Sequence, residues 1–164
     1  MNDNYAVING KKIELTEKQI KALGFEVRKN PFDRAGKYEG YYCIKETGEI
    51  YTYYDGRGSF DNVLYAESNY FNDKAFAEQV ALHQLLYRKL LKFAYDNGYE
   101  DTAEWDGTNL HWVIGYDEEN SAFVTGWHKI YKMQEVYFSF AYGAKRAIKE
   151  VVEPFMKEHP EFVW

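Results

Sequence analysis

Histidine and cysteine are the residue types to consider first, because they supply most metal ligands and many nucleophiles. The chain has four histidines, His83, His111, His128 and His159, and one cysteine, Cys43. No two histidines stand four residues apart, the spacing that places two ligands on one helix face. Cys43 lies in an apolar run, and nothing in the sequence ties it to a histidine as nucleophile and base. The sequence therefore predicts no metal site, no cofactor and no enzymatic activity.

Two other patterns resemble ligand sites but have simpler explanations. Acidic residues cluster at 100–106 and again at 117–119, with a spacing unlike that of an EF-hand loop. Gly56-Arg57-Gly58 resembles a fragment of a phosphate loop, but no Gly-Lys-Ser/Thr follows it. A solvated linker, a turn and a wide loop explain these segments better than ligand binding does.

Aromatic and basic side chains remain as candidates for recognition, because Tyr, Trp and Arg dominate the energetics of protein interfaces. The candidate partner-binding residues are Tyr51, Tyr53, Tyr54, Arg57, Trp105, Trp112 and Trp127. The candidate nucleic-acid contacts lie on two predicted helices and are Arg88, Lys89, Lys92, Lys145, Arg146 and Lys149. The simpler alternatives are core packing for many of the aromatic residues and a solvated helix face for the basic ones.

Composition limits the class of protein. Of the 164 residues, 46% are hydrophobic and 16 are Tyr, which is ample material for the core of one domain. The formal net charge of −6 argues against a general nucleic-acid binder, whose affinity comes from a basic surface. No apolar run approaches the ~20 residues that a membrane helix needs, and the first residues do not resemble a signal peptide. We expect a cytoplasmic protein without a membrane partner.

The elements that position these side chains begin with a ββα module over residues 1–27. Asn9-Gly10 between two alternating runs is the strongest short hairpin signal, because both turn positions require positive φ. Thr16 can cap the helix that follows, and Gly24 suits its left-handed end. A polar connector with Pro and Gly residues then leads to the first of two longer units.

Two units of similar pattern follow, the first unit at 38–98 and the second unit at 108–158. In the first unit, the pattern predicts strands at 41–45, 49–54 and 63–70, and then a long helix from Asn72 or Asp73 to Gly98. In the second unit, it predicts strands at 110–116 and 122–127, a third strand or a bent pair at 130–138, and then a helix from Ala141. Pro154 should kink or stop that second helix near Glu153.

The two units also share a local sequence. Tyr70-Phe71 before the first helix aligns with Tyr137-Phe138 before the second, and Ala77 aligns with Ala144. Two ββ(β)α units with their helices on one face of an antiparallel sheet would bury both apolar stripes. The sequence thus predicts a single α+β domain.

Several segments resemble a group of uncharacterised accessory proteins encoded by phages and prophages of Gram-positive gut bacteria. The matching segments are Ile8-Asn9-Gly10-Lys11-Lys12-Ile13-Glu14-Leu15, Asn30-Pro31-Phe32-Asp33-Arg34, Asn69-Tyr70-Phe71, Phe76-Ala77-Glu78-Gln79-Val80-Ala81-Leu82 and Val151-Val152-Glu153-Pro154-Phe155. Where such proteins usually begin the second helix with Phe-Ser-Ser/Thr-Glu-Glu, this chain has Ser139-Phe140-Ala141-Tyr142. The group lends no catalytic or ligand residue to this chain.

The resemblance implies a setting for the function. Phage accessory proteins often bind host machinery, so we expect a non-catalytic binding protein that inhibits or sequesters a host protein. An anti-defence, anti-CRISPR-like role is one form of this expectation. The alternatives are a nucleic-acid-binding accessory protein of phage replication or regulation and a protein that binds a small molecule such as a nucleotide. A homodimer is a further option, because the long helix is apolar enough to serve a partner helix as well.

Overall fold

The computed structural model describes residues 5–8, 10–23, 30–99 and 104–164, and its architecture is α+β. The strands are β1 (Tyr5–Ile8), β2 (Lys11–Glu14), β3 (Gly40–Ile44), β4 (Ile50–Tyr54), β5 (His111–Asp117) and β6 (Ala122–His128). The helices are α1 (Glu17–Ala22), α2 (Ser59–Ala66), α3 (Lys74–Asp96), α4 (Ala141–Ala147) and α5 (Glu153–Glu158). A π-helical turn at Ile148–Val152 joins the last two helices.

The N-terminal module has the predicted ββα order. β1 pairs with β2 in antiparallel register, and Gly10 in their turn has a φ of +75°. Thr16 caps α1 as expected, since its hydroxyl accepts the Gln19 N–H at 3.4 Å and the Gln19 side chain accepts the Thr16 N–H at 2.8 Å. Asn9 and Gly24, to which the sequence assigns the rest of the turn and the helix end, lie outside the described residues.

The first unit contains a helix where the sequence predicts a third strand. β3 and β4 form the expected hairpin, but the segment from Val63 onward belongs to α2. The strand prediction is wrong because Phe60, Val63 and Leu64 recur at helical spacing. Asp61 adds a start signal, since its carboxylate accepts the N–H of Gly58, the residue before the helix, at 3.0 Å.

α3 is the long helix that the sequence predicts. Asp73 caps it by accepting the Phe76 N–H at 3.0 Å, and Gly98 beyond its end has a φ of +82°. Its buried stripe consists of Ala77, Ala81, Leu86, Leu90 and Ala94. This stripe does not serve the first unit alone, because Leu86, Leu90 and Ala94 belong to the core of the second.

Among its described residues, the second unit lacks the third strand or bent pair that the sequence predicts. β5 and β6 form the expected hairpin, but residues 130–138 are irregular apart from the bridge at Phe138. Near Glu153, where the sequence predicts a kink or a stop, the helix from Ala141 does not stop. Its α winding is interrupted by the π turn, in which the Glu153 N–H donates to the Ile148 carbonyl, and then resumes as α5. The wider turn directly before Pro154 relieves the clash that a proline ring causes in a regular α-helix.

Both units share one junction between hairpin and helix. In the first, Tyr42 and Phe71 exchange two backbone hydrogen bonds of 2.7 and 2.8 Å. In the second, Trp112 and Phe138 exchange two of 3.0 and 2.8 Å. The antiparallel sheet is thus divided into three two-stranded hairpins, and each of the last two gains one bridge from the segment before its helix.

Candidate partner-binding face

An apolar face on the first unit, which we call the tyrosine face, consists of Tyr51, Tyr53, Phe60 and Val63. Tyr51 and Tyr53 stand two residues apart on β4, so their side chains leave the same side of the hairpin. Phe60 and Val63 stand three residues apart on α2, so they share one face of that helix. The hairpin and α2 together therefore bring four large side chains to one surface.

The aromatic rings of the tyrosine face touch in a row. The rings of Tyr51 and Tyr53 lie 6.0 Å apart, and Phe60 meets Tyr53 edge-on at 5.2 Å. Tyr51, Phe60 and Val63 are 44%, 53% and 52% exposed, whereas Tyr53 is half-buried. The Lys45 ammonium lies 3.2 Å from the centre of the Tyr51 ring, at the end of the row. The row is a continuous apolar surface with one cation at its edge.

A buried tyrosine pair lies beside this row, on the same face of the hairpin. Tyr53 lies 6.0 Å from Tyr41, which is fully buried and stacks on Tyr70 at 3.9 Å. The Tyr41 hydroxyl donates to Asp61 at 2.8 Å, and burial together with this bond raises the pKa of Tyr41. Because Asp61 is also bonded to Gly58 at the start of α2, Tyr41 ties the hairpin to the helix that carries Phe60.

A second buried carboxylate holds the loop between β4 and α2. Asp55 is fully buried and accepts bonds from Arg34 Nε (2.7 Å), the Arg57 N–H (2.8 Å) and the Tyr70 hydroxyl (2.9 Å). The bond from Arg34 holds the pKa of Asp55 well below its ordinary value. Burial, followed by the bond to Asp55, raises the pKa of Tyr70 to about 12. The loop is therefore fixed by an ionised carboxylate at neutral pH.

The other aromatic candidates lie apart from this row. Tyr54 is 72% exposed but leaves β4 on the side opposite to Tyr53. Trp127 is 52% exposed on the second hairpin, where its cross-strand partner Trp112 is half-buried. Trp105 is half-buried and stacks on His111 at 3.6 Å. The structure thus brings Tyr51 and Tyr53 together in the row and places Trp112 and Trp127 as cross-strand partners on the second hairpin.

Arg57 has a structural role in this loop. Its φ of +61° is in the left-handed region, which non-glycine residues seldom adopt. Its guanidinium donates to the Ala35 carbonyl at 2.9 Å and lies 3.5 Å from the Asp55 carboxylate. The side chain is thus anchored to the chain itself.

The basic candidates do not form one positive surface. Arg146 donates to Glu150 at 2.7 Å and to Asn97 at 2.8 Å, and Lys92 pairs with Asp96. Lys89 and Lys92 line a shallow groove that also contains Asp96, Glu150 and Glu158. Arg88 lines a different groove. Lys145 and Lys149 are exposed on α4 and the π turn.

The described ranges contain neither a cluster of metal-ligating side chains nor a helix that could span a membrane. No three His, Cys, Asp or Glu side chains in these ranges are grouped so that they could hold a metal ion. His128, for example, lies 3.5 Å from Glu135 without a third such group. No described helix combines the length and the apolar character that crossing a bilayer requires.

Sequence reasoning missed Phe60 and Val63, because it assigned their segment to a loop and a strand. It also missed the anchoring roles of Asp55 and Asp61. A signal was present for Asp61, which stands three residues after Gly58 just before an apolar pair at helical spacing. The partners of Asp55 carry no local signal, since Arg34 lies 21 residues before it.

Comparisons with family models, with curated proteins and with solved structures find no match to this chain. No relative therefore lends a ligand, a reaction or a partner to any of its residues. The function has to be argued from the contacts and exposures of the chain itself.

Proposed function

We propose that the chain is a non-catalytic binding protein that engages a partner protein through the tyrosine face. The observation that carries this proposal is the row of exposed Tyr51, Phe60 and Val63 around half-buried Tyr53. Large side chains that are already ordered lose little conformational entropy on binding, and aromatic ones supply most interface hot spots.

The rigidity of the support strengthens the proposal. Asp55 and Asp61 tie the loop, the hairpin and α2 together beside the row. A surface held in one arrangement before binding gains affinity, because less order has to be imposed when the partner arrives. Exposed rings on a mobile loop would lack this advantage.

The chemistry of the face favours a protein over a nucleic acid as the partner. A nucleic-acid surface needs several cations to neutralise phosphates, and among the described residues Lys45 alone is a cation in contact with the row. Arg146 and Lys92, two of the helical cations, are paired with acidic side chains. The nucleic-acid alternative is tested by a gel-shift assay. It predicts a shift at low salt that weakens steeply as salt is added.

The resemblance to phage-encoded proteins indicates which class of protein the partner belongs to. A host protein, such as a component of a defence system, would be bound in the bacterial cytoplasm and thereby inhibited or sequestered. The tyrosine face would then cover a functional surface of that protein.

Site-specific photo-cross-linking tests the proposal directly. A benzophenone amino acid replaces Phe60 in one variant and the exposed Tyr131, in the second unit, in another. In a lysate of the bacterial host, the label at position 60 should yield a discrete cross-linked protein and the label at 131 should not. Excess unlabelled chain should suppress that product, whereas excess Tyr51→Ser/Phe60→Ser chain should suppress it at least ~30-fold less well.

Three outcomes contradict the proposal. One is the absence of any discrete product at position 60, and another is equal yields at 60 and 131. The third is a product of twice the chain mass in the purified protein, which would assign the face to a homodimer. Urea unfolding of the double variant checks that its fold is retained, because truncating exposed side chains should leave stability nearly unchanged.

A further inference from the structure

A groove of about 640 Å³ lies between α3 and the second unit and shares no residue with the tyrosine face. Its floor is apolar and buried, formed by Leu86, Leu90, Val136, Phe138 and Phe162. Small-molecule sites have volumes of about 300 to 1,000 Å³ and are lined mainly by apolar side chains. The groove therefore has the size and the lining of a ligand site.

One wall of the groove is held in place by the helix itself. The Gln79 side chain donates to the Glu161 carbonyl at 2.7 Å and accepts the Val163 N–H at 3.0 Å. Phe162, between these two residues, packs against the His83 ring at 4.6 Å, and Trp164 packs against Phe123 at 4.9 Å. This segment is fixed against α3, so the groove is preformed.

The rim of the groove includes the guanidinium of Arg88. His83, Tyr87 and Glu135 are the other side chains of the lining that can ionise. Glu135 lies 3.5 Å from His128, a partner outside the groove. Arg88 has no hydrogen-bond or ion-pair partner anywhere in the described chain.

Two neutral rim residues also lack hydrogen-bond partners in the described chain. Gln84 and Gln134 also line the groove, and neither bonds to another described side chain or backbone group. Together with Arg88 they offer several donors beside an apolar floor. A ligand with a negatively charged oxygen group supplies the acceptors that these donors lack.

We propose that this groove binds a small apolar carboxylate, with its hydrocarbon or aromatic body on the floor and its carboxylate at Arg88. The guanidinium presents paired N–H donors in the geometry that a carboxylate accepts, which an ammonium does not. The apolar body supplies most of the affinity through burial, and Arg88 sets the preference for an anion. The site is independent of the tyrosine face.

Two fluorescent probes that differ chiefly in charge test the site. Anilinonaphthalene sulfonate is an apolar anion, and N-phenyl-1-naphthylamine is a neutral compound of similar shape. Both should bind the native chain saturably with one site each. Arg88→Gln should weaken the anionic probe about tenfold, as expected for one charge-assisted contact at a partly solvated rim, and leave the neutral probe unchanged.

Lys89→Gln is the matched control, since it removes the same charge from the next residue of α3 outside the groove. It should leave both probes unchanged. Decanoate should displace the anionic probe, and decanol should do so at least about tenfold less well. The site assignment is overturned if neither probe saturates, and the anion preference is overturned if Arg88→Gln and Lys89→Gln act alike. If the groove binds a peptide instead, excess decanoate will not displace the anionic probe. That outcome would also overturn the proposal.

Discussion

The two units share one junction, but they differ in whether their buried polar groups have hydrogen-bond partners. Tyr41 in the first unit and His111 in the second occupy equivalent positions, each one residue before the strand residue that bridges to the helix junction. Both side chains are buried, and both lie in aromatic stacks. Tyr41 finds a partner for its hydroxyl in Asp61. His111 Nε2 and the neighbouring Trp105 Nε1 are buried without a hydrogen-bond partner in the described chain.

α2 explains this difference. The helix supplies Asp61, and the loop that leads into it supplies Asp55. The corresponding stretch of the second unit is irregular and provides no such carboxylate to His111. Since an unpaired buried polar group costs about 1 to 3 kcal/mol, the second unit depends on apolar and aromatic packing where the first depends on a polar network. The proposed binding face adjoins the network through the contact between Tyr53 and Tyr41.

Removal of Asp55 should cause the largest loss of stability in the first unit. Asp55→Ala leaves the Tyr70 hydroxyl and part of the Arg34 guanidinium without their acceptor, so we expect the free energy of unfolding to fall by about 3 kcal/mol. Urea denaturation measures this loss. Asp96→Ala, which breaks the exposed pair with Lys92, is the control and should cost less than about 0.5 kcal/mol. Equal losses in the two variants would show that the buried network does not stabilise the first unit.

Acid should weaken the same network. The pKa of Asp55 is lowered in the folded chain from an ordinary value of 3.8, so its contribution is fully present above that value. The contribution is lost as the pH falls toward the lower folded-state pKa. The difference in unfolding free energy between the native chain and Asp55→Ala should therefore shrink between about pH 5 and about pH 2.5. A difference that stays constant over this range would contradict the assignment.

The sequence predicts the regular elements well because their signals are local. The Asp73 cap, the Gly98 end and the apolar stripe of α3 lie within one continuous segment, and each is confirmed. The aligned Tyr70-Phe71 and Tyr137-Phe138 pairs likewise mark the two junctions that the structure shows. α2 is missed because a short run rich in aromatic and β-branched residues is also typical of strands.

The candidate site is less predictable because its parts are distant in the sequence. Tyr51 and Tyr53 are chosen by residue type, and the structure places them in the row. Phe60 joins them through the fold of α2. Trp127 is exposed and Trp112 is half-buried, although the two are cross-strand neighbours of the same type. Residue type alone cannot predict which of them faces solvent.

The finest test compares one substitution type at the two equivalent positions. Tyr41→Phe keeps the ring stacked on Tyr70 but leaves Asp61 Oδ1 without its donor, so it should cost about 1 to 2 kcal/mol. His111→Phe keeps a ring on Trp105 and removes a nitrogen that has no partner in the described chain, so stability should stay the same or rise by up to about 1 kcal/mol. Urea denaturation of both variants measures the two changes. Because phenylalanine is somewhat larger than histidine, a small strain can offset part of the gain, but the order of the two effects should hold. If His111→Phe proves the more damaging of the two, Nε2 has a partner in solution, and the contrast between the units disappears.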